Sequence, residues 1–584
     1  MPIRFRWLVA LLLLSLCLTS GFAQVQQETA AAAGHQEQQK ANDSWWKHAV
    51  IYEIYPRSFQ DSNGDGVGDI NGITQRLDYL RDLGIDAIWL TPMYPSPQVD
   101  FGYDIADYTA IDAQYGTMAD FDRLVQEAKA RNIRVIMDFV ANHTSDQNPW
   151  FIESRSSRTN PKRDWYIWRD GKTPGQPPNN WLSWFGHSAW QFDIKTGQYY
   201  YHYFYPQQPD LNWRNPQVRE AMMNVLRFWM DRGVAGFRID AVSRLYEDPN
   251  LHDDPLLPGK NAYGDPNIEH KYTDNLPEVH ESLREMRQVV DQYPGDPVLI
   301  SEADEPNIIE LAKMYGSKLD EIQLPMDFQF ADVNQLSARR FRELIDQIDH
   351  NAAGGQPYFF FNNHDQDRTW NRYGDGIHND DIAKLMAALL LTTRATPQMY
   401  YGEEIGMVTT PPTRKEDVKD PIGKIGWPKE KGRDGERTPM QWDTSKNAGF
   451  STSATPWLRV PTSYVQRNVA VEEKNPNSLL NFYKQLIALR RSQRALRDGS
   501  YQALSRQDAD VLSYLRKNPQ SGESVLVVLN MSSQPKTLMF DLKREGISGS
   551  SAKYLLSNPA TGAVAVPLNA VPVASFGTFV GAVR

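Results

Sequence analysis

Residues 216–242 read PQVREAMMNVLRFWMDRGVAGFRIDAV, and this stretch decides the fold. Its first part, Pro216–Arg232, carries apolar residues at helical spacing. It opens on a proline, which suits a first helical turn because an N–H there has no partner to lose. Its second part, Val234–Val242, is a short apolar run interrupted by Arg238 and Asp240. A strand sends alternate side chains to opposite faces, so Arg238 and Asp240 share one face while Phe237 and Ile239 share the other. The same alternation of helix and strand recurs along the chain. Eight strand-like runs follow one another: Ala49–Phe59, Ile85–Pro92, Ile133–Val140, Val234–Val242, Pro297–Ala303, Glu321–Phe328, Gln356–Asp365 and Thr396–Met407. Helical patterns such as Met118–Asn132 and Asp381–Arg394 come after most of them. Strands alternating with helices predict a parallel α/β fold, and eight such units predict a closed (β/α)8 TIM barrel.

Two gaps in this rhythm are abnormally long. The first, 141–213, is rich in Trp, Tyr, Asn and Pro. It is expected to form a loop-rich subdomain, inserted after the third strand and lying over the barrel mouth. The second, about 408–470, is rich in Pro, Lys, Asp and Gly and belongs to the same rim. Loops of this length are usually functional. A third stretch, Glu247–Asn275, is rich in Asp and Pro and is a candidate for acceptor specificity. After a helical stretch at Leu479–Ser492, short runs at Val511–Leu515, Ser524–Leu529, Thr537–Phe540 and Thr578–Val583 predict a C-terminal all-β sandwich. The expected division is 1–23 signal peptide, 24–44 flexible leader, 45–140 and 214–496 barrel, 141–213 insert, and 497–584 β domain.

With 584 residues the chain exceeds what one compact core comfortably fills. Its net charge of -10 argues against a nucleic-acid partner, which needs a basic stripe. The N-terminus pairs Arg4 and Arg6 with an apolar run from Trp7 to Leu18, followed by Gly21-Phe22-Ala23. That is a signal-peptide pattern with its cut after Ala23, which implies a secreted or periplasmic protein. The run is too short for a comfortable membrane span, so no stable membrane anchor is expected. The single cysteine, Cys17, lies inside it, and Leu16 before it disfavours lipidation. The mature chain then carries no thiol and tolerates an oxidising compartment. Residues 24–42 are rich in Gln, Ala and Glu and lack apolar periodicity, the mark of a flexible leader.

Chemistry in such a barrel gathers at the C-terminal strand ends. The fourth run offers Arg238 and Asp240 there. A neighbouring guanidinium is expected to keep Asp240 ionised and depress its pKa, as a carboxylate nucleophile requires, though a buried structural ion pair would look the same. The fifth ends in Ser301-Glu302-Ala303. Facing an ionised Asp, Glu302 would have a raised pKa and could donate a proton. The third ends in Asn142-His143-Thr144, and the seventh in Asn362-Asn363-His364-Asp365-Gln366. Any of these taken singly could be structural. Together they supply three carboxylates and two histidines, and no phosphate loop or dense metal cluster. Glycoside cleavage through a covalent intermediate needs one carboxylate nucleophile and one acid/base. A third carboxylate stabilises the oxocarbenium-like transition state.

A loop at 61–69 alternates Asp61, Asn63, Asp65 and Asp69, with the Val67 carbonyl and a turn at Gly66. This imitates the first nine positions of a calcium-binding loop, but the twelfth is Gly72, where a calcium hand has Glu. A metal-free turn is the other reading.

The runs DFVANHTS, GFRIDAV, SEAD and FNNHDQ, with QPDLNWRNP at 208–216, resemble the ordered signature regions of the α-amylase superfamily. WWKHAVIYEIYPRSF, VDFGYDIADY at 99–108 and RTPMQWD at 437–443 are similar to its oligo-1,6-glucosidase and maltase branch. The resemblance runs from about Trp45 to the C-terminus. It implies Asp240 as nucleophile, Glu302 as general acid/base and Asp365 as stabiliser of the distorted sugar. It implies that Arg238, His143 and His364 bracket the glucose being cleaved, with Tyr103 stacked beneath it. Asp100 and Arg437 are implied to grip the non-reducing end, closing the cleft as in an exo enzyme. Phe185, Phe204 and Gln208 would line the pocket from the insert. The loop 61–69 would hold structural Ca2+ or Mg2+, away from the reaction. Ala241, after the nucleophile, goes in relatives with α-1,4 rather than α-1,6 cleavage. SEAD departs from relatives with Gly or Thr before the Glu, which should not alter the chemistry.

The expected protein is therefore an exo-acting retaining α-glucosidase that releases glucose from small oligosaccharides, as a monomer or weak homo-oligomer. A transglucosylase, sucrose isomerase or trehalose synthase on the same scaffold would share every catalytic residue. A catalytically dead subunit, like the heavy chain of amino-acid transporters, would carry a true membrane helix and an incomplete catalytic set.

Overall fold

The computed structural model describes residues 44–584. The expected signal peptide, and the expected leader as far as residue 43, lie outside the described residues. The chain divides into two compact units, Met1–His48 and Ala49–Arg584. In the first, the described residues form one short helix, Trp45–His48. Among the described residues no helix is long and apolar enough to cross a membrane.

The second unit holds the (β/α)8 barrel. Its strands are β1 (Ile51–Ile54), β2 (Ala87–Leu90), β3 (Arg134–Val140), β4 (Gly236–Asp240), β5 (Val298–Ser301), β6 (Leu324–Pro325), β7 (Tyr358–Phe359) and β8 (Thr396–Tyr400). They pair in parallel in the order β6-β5-β4-β3-β2-β1-β8-β7. A parallel bridge between Met326 and Tyr358 joins the two ends of the sheet and closes the ring. Residues 216–242 fold as their pattern demands. Asn215 caps the helix Pro216–Met230 through the Gln217 N–H, and Val218, Met222, Leu226 and Trp229 turn its apolar stripe inward. β4 begins with glycine for a steric reason. A Cβ on Gly236 would lie 2.0 Å from the Val298 carbonyl oxygen of β5.

The insert after β3 contains a three-stranded antiparallel sheet, Trp168–Arg169, Gln198–Tyr201 and Trp190–Asp193. Its aromatic core includes Trp181, Trp190, Tyr199, Tyr201 and Tyr203. The Trp213 indole donates to the Ala141 carbonyl at 2.8 Å, pinning its exit to its entry. The excursion after β8 is fastened back onto the barrel. The Trp442 indole donates to the Phe59 carbonyl and the Tyr401 hydroxyl to the Thr438 carbonyl, at 2.9 and 2.7 Å. Residues 247–275, patternless in sequence, fold into a hairpin of Leu256–Lys260 and Pro266–Ile268.

The C-terminal region is all-β from Ser500. A six-stranded antiparallel sheet faces a two-stranded one, Lys536–Leu538 with Val571–Val573, across a core of Val511, Leu526, Val528, Val571 and Phe579. Buried arginines tie it to the barrel. Arg516 donates to the Thr392 carbonyl, at the end of helix Asn379–Thr392, and to Gly499, at 2.7 and 2.8 Å. The guanidinium thereby satisfies carbonyls that the helix end leaves without partners.

Candidate active site

The site is built around Arg238, which lies on β4 with no solvent exposure. The parallel register places Asp138 of β3 directly beside it. One guanidinium serves three carboxylates. Its Nη1 lies 3.1 Å from Asp138 Oδ1 and 2.7 Å from Asp240 Oδ1, and its Nη2 lies 2.9 Å from Glu302 Oε1. Glu302, immediately after β5, also accepts the Ala241 N–H on Oε2 at 3.0 Å. Ala241 adopts a left-handed backbone, φ 46°, which turns its N–H toward the acid. Asp240 and Glu302 are thus held side by side, on neighbouring strands, at one edge of a shared cation.

That sharing reverses one expectation. Burial pushes the Asp240 carboxyl well above the ordinary aspartate range. Arg238 pulls it down, as the Arg–Asp pairing predicts, but Glu302 and Asp138 push it back up. A single cation cannot neutralise three anions in a dry interior, so the net direction is upward, not downward. Asp138 is pushed up to about 6 by the same burial.

The neighbouring histidine is neutral. Burial holds His364 well below, and Glu53 well above, their ordinary values. His364 Nδ1 lies 2.7 Å from Glu53 Oε1, and its Nε2 lies 2.9 Å from the Tyr103 oxygen. The Tyr103 hydroxyl donates to Asp138 at 3.0 Å. Each atom is satisfied when the Glu53 carboxyl donates to Nδ1 and the Nε2–H donates to Tyr103. Tyr103 therefore belongs to a chain of hydrogen bonds from the barrel interior to Asp138, and it also stacks on His364, with ring centres 5.3 Å apart.

Asp365 faces the opposite electrostatics. Against burial that would raise it, Arg433 and Arg437 hold its carboxyl far below the ordinary value. Arg437 Nη2 is 2.5 Å from Asp365 Oδ1, and Arg433 Nη1 is 3.0 Å from the same oxygen. The two residues expected to grip the chain end, Asp100 and Arg437, have different partners. Asp100 pairs with Arg433, Nη2 to Oδ1 at 2.7 Å, while Arg437 is buried behind Asp365 and donates to the His364 carbonyl. The link that closes the end of the cleft runs Asp100–Arg433–Asp365.

Gln208 completes that end. Its amide nitrogen donates to Asp100 at 3.3 Å and lies 3.1 Å from His143 Nε2. His143 is lowered to about 4 by burial, so it meets a substrate uncharged. Phe185 and Phe204 pack 5.6 Å apart as an aromatic wall from the insert. A cavity of about 740 Å³ is lined by Asp100, Tyr103, His143, Phe185, Phe204, Gln208, Asp240, Glu302 and Asp365. Arg238, His364 and Arg437 stand behind this lining, each at most 1% exposed. They pack against the residues that line the cavity.

Sequence reading missed Glu53, Asp138 and Arg433. Asp138 was legible in principle, since register sets it beside Arg238. Arg433 was not, because the loop that carries it has no periodicity.

The loop 61–69 lies apart from this cavity. Asp61 accepts the N–H groups of Asn63, Gly64 and Gly66, and Asp69 caps the helix Ile70–Gln75 through Gly72. A Cβ on Gly72 would lie 1.9 Å from the Gln60 carbonyl oxygen, so the Glu of a calcium hand has no room there. Among the described residues no group of three or more His, Cys, Asp or Glu is placed to hold a metal ion. A cation here would need the Asn63 amide and the Val67 carbonyl as well. That all-oxygen donor set fits Ca2+ or Mg2+.

A nucleophilic Asp240 must be ionised, so its upward shift moves the acid limb of kcat/KM upward. The limb is expected above the ordinary aspartate region, because burial and the carboxylates of Glu302 and Asp138 raise Asp240. Replacing Asp138 with Asn removes a negative charge that raises Asp240 and should move the limb to lower pH. An acid limb near pH 4 (the ordinary aspartate region, about 3.9) that this change leaves in place would contradict the assignment.

A family model described as the alpha amylase catalytic domain matches residues 53–499. A probable alpha-glucosidase of Rhizobium meliloti (strain 1021) is 44% identical over 86% of this chain and 92% of its own length. An oligo-1,6-glucosidase of Parageobacillus thermoglucosidasius is 40% identical over 88% of this chain and 94% of its own. A mutant isomaltulose synthase of Erwinia rhapontici NX5, solved with sucrose, superposes with a TM-score of 0.84 at 38% identity, covering 93% of this chain and 99% of that one. The barrel, the carboxylates gathered on Arg238 and these matches agree: the chain belongs to the alpha-amylase family and is a glycoside hydrolase.

Proposed function

We propose that this protein is an exo-acting, retaining α-glucosidase that removes terminal glucose from short α-glucosides, with α-1,4 bonds preferred. The observation that carries the reading is the pairing of Asp240 and Glu302 on one guanidinium, at 2.7 and 2.9 Å. Two carboxylates on neighbouring strand ends, sharing one guanidinium, suit attack by one and proton delivery by the other, as a retaining mechanism requires. Asp240 attacks the anomeric carbon while Glu302 delivers a proton to the departing glycosidic oxygen. The glucosyl ester on Asp240 is then released by a water that gives its proton back to Glu302. Positive charge building on the ring is met by Asp365, kept ionised by its two arginines. The link Asp100–Arg433–Asp365 closes one end of the cavity, which favours chain ends over internal bonds.

The linkage preference rests on Ala241, which lines the cavity beside the nucleophile. At its positive φ a β-branched residue would be strained, and the small methyl leaves space for the leaving sugar. A second reading, transfer of glucose within sucrose to form an isomer, is favoured by the likeness to the isomaltulose synthase.

The enzyme should release α-glucose first from maltose, faster than from isomaltose, as followed by NMR of the product anomer. Asp240→Asn should lower this release by at least about 10³-fold. Conversion of sucrose into an isomer with little free glucose would establish the second reading instead. β-Glucose as first product would overturn retention.

We further propose that loop 61–69 holds Ca2+ or Mg2+ structurally through Asp61, Asn63, Asp65, Asp69 and the Val67 carbonyl, fixing the chain before helix Ile70–Gln75. Chelator should lower the melting temperature, added Ca2+ should restore it, and Asp65→Ala should remove the response. A melting temperature indifferent to chelator would count against the ion. Residues 1–23 are proposed to direct export, to the periplasm or beyond. The exported protein should then begin at Gln24, which N-terminal sequencing checks.

A further inference from the structure

Next to the catalytic cavity lies a second one, of about 550 Å³, which the mechanism above does not use. It sits between the insert and the hairpin Leu256–Lys260/Pro266–Ile268. The two cavities share one residue, Trp184. Trp184 is 48% exposed, among the few large aromatic side chains left so open. Its ring is nevertheless fixed. Tyr203 stacks on it, with centres 6.3 Å apart and planes 19° apart, and the Arg244 guanidinium lies 5.5 Å from its centre. Arg244 itself lines the catalytic cavity and pairs with Asp274 at 3.2 Å. Trp184 is therefore a rigid, half-open aromatic surface where the two cavities meet.

The chemistry of the second cavity is selective. Its lining includes Leu257, Asn261, Tyr263, Asn267 and His270, and no Asp, Glu, Lys or Arg. His270 is lowered to about 4 by burial, so at neutral pH it adds no charge. Aromatic and aliphatic faces mixed with amides and a phenol suit a neutral polyhydroxylated ligand and offer nothing to a phosphate or carboxylate. Arg433 bridges Asp100 and Asp365 across one end of the catalytic cavity, and a longer substrate would extend away from that end.

We propose that Trp184 is a specificity-determining residue, and that the cavity beyond it receives the second and third sugar units on the leaving side of an α-glucan oligosaccharide. The proposal rests on the α-glucosidase reading and extends it to chain length. Residues 247–275, whose fold sequence did not reveal, supply the outer wall.

The test compares kcat/KM for maltose, maltotriose and maltotetraose. In the unaltered enzyme the value should rise with chain length. Trp184→Ala should lower it about tenfold for maltotriose and maltotetraose, the equivalent of about 1.4 kcal/mol, and change it less than about twofold for maltose. Trp184→Phe should recover most of the loss. Leu257→Trp, which fills the cavity from an exposed position, should reproduce the same length-selective loss without altering the thermal melt. Equal losses on all three substrates, or no loss on any, would overturn the proposal. An unaltered enzyme that releases no glucose from maltose would instead refute the α-glucosidase reading on which it stands.

Discussion

The constraint on which the rest of this molecule depends is the burial of Arg238. A guanidinium without solvent must be surrounded by acceptors, and here Asp138, Asp240 and Glu302 provide them from β3, β4 and the end of β5. An unpaired buried charge would be strongly destabilising. The barrel register is fixed in part by the need to bring Asp138 opposite Arg238, since a slip of one residue would turn the carboxylate to the other face. The surplus of negative charge raises Asp240 and, through Tyr103, couples the cluster to the neutral His364–Glu53 pair. Structure and reactivity therefore share one set of contacts.

Across the cavity a second cationic group works in the opposite sense. Arg433 and Arg437 outnumber the carboxylate they share, and Asp365 is held ionised. The two carboxylates thus differ in the charges they face. Around Arg238 anions are in excess and protons bind more readily. Asp365 itself meets two guanidiniums, one of them shared with Asp100 and Asp420, and its proton leaves. Both arginines near Asp365 come from the long excursion after β8, whereas Arg238 comes from a strand. The carboxylates around Arg238 are built on the rigid sheet, and Arg433 and Arg437 are carried by a loop fastened to it.

Those loops are held by aromatic donors at their ends. Trp213 pins the insert and Trp442 pins the excursion after β8, each through an indole N–H to a backbone carbonyl. The C-terminal sandwich is attached by Arg516, which donates to the Thr392 carbonyl of a barrel helix, and by the pair of Arg506 with Asp346 on helix Ala338–Asn351. The many tryptophans and tyrosines thus serve as anchors as well as cavity wall.

The sequence by itself determined the architecture and the set of carboxylates that line the cavity. Periodicities of strand and helix are local, so the eight strand–helix units, the insert and the β domain could be read from apolar spacing. Residues at and just after the strand ends were equally legible, because a barrel gathers them at one rim; Asp240, Glu302 and Asp365 all line the same cavity. Only the tertiary structure decided the partners. Asp100 meets Arg433 and not Arg437 because the loop carrying both folds back irregularly, and no periodicity says which of two arginines four residues apart reaches the cleft. The direction of the Asp240 shift also required three dimensions. From the strand alone it has one cationic neighbour. In the barrel that cation is divided among carboxylates from other strands, and burial then prevails. The hairpin at 256–268 has no apolar alternation to announce it, and its position beside Trp184 arises from packing against the insert, a contact between segments distant in the chain.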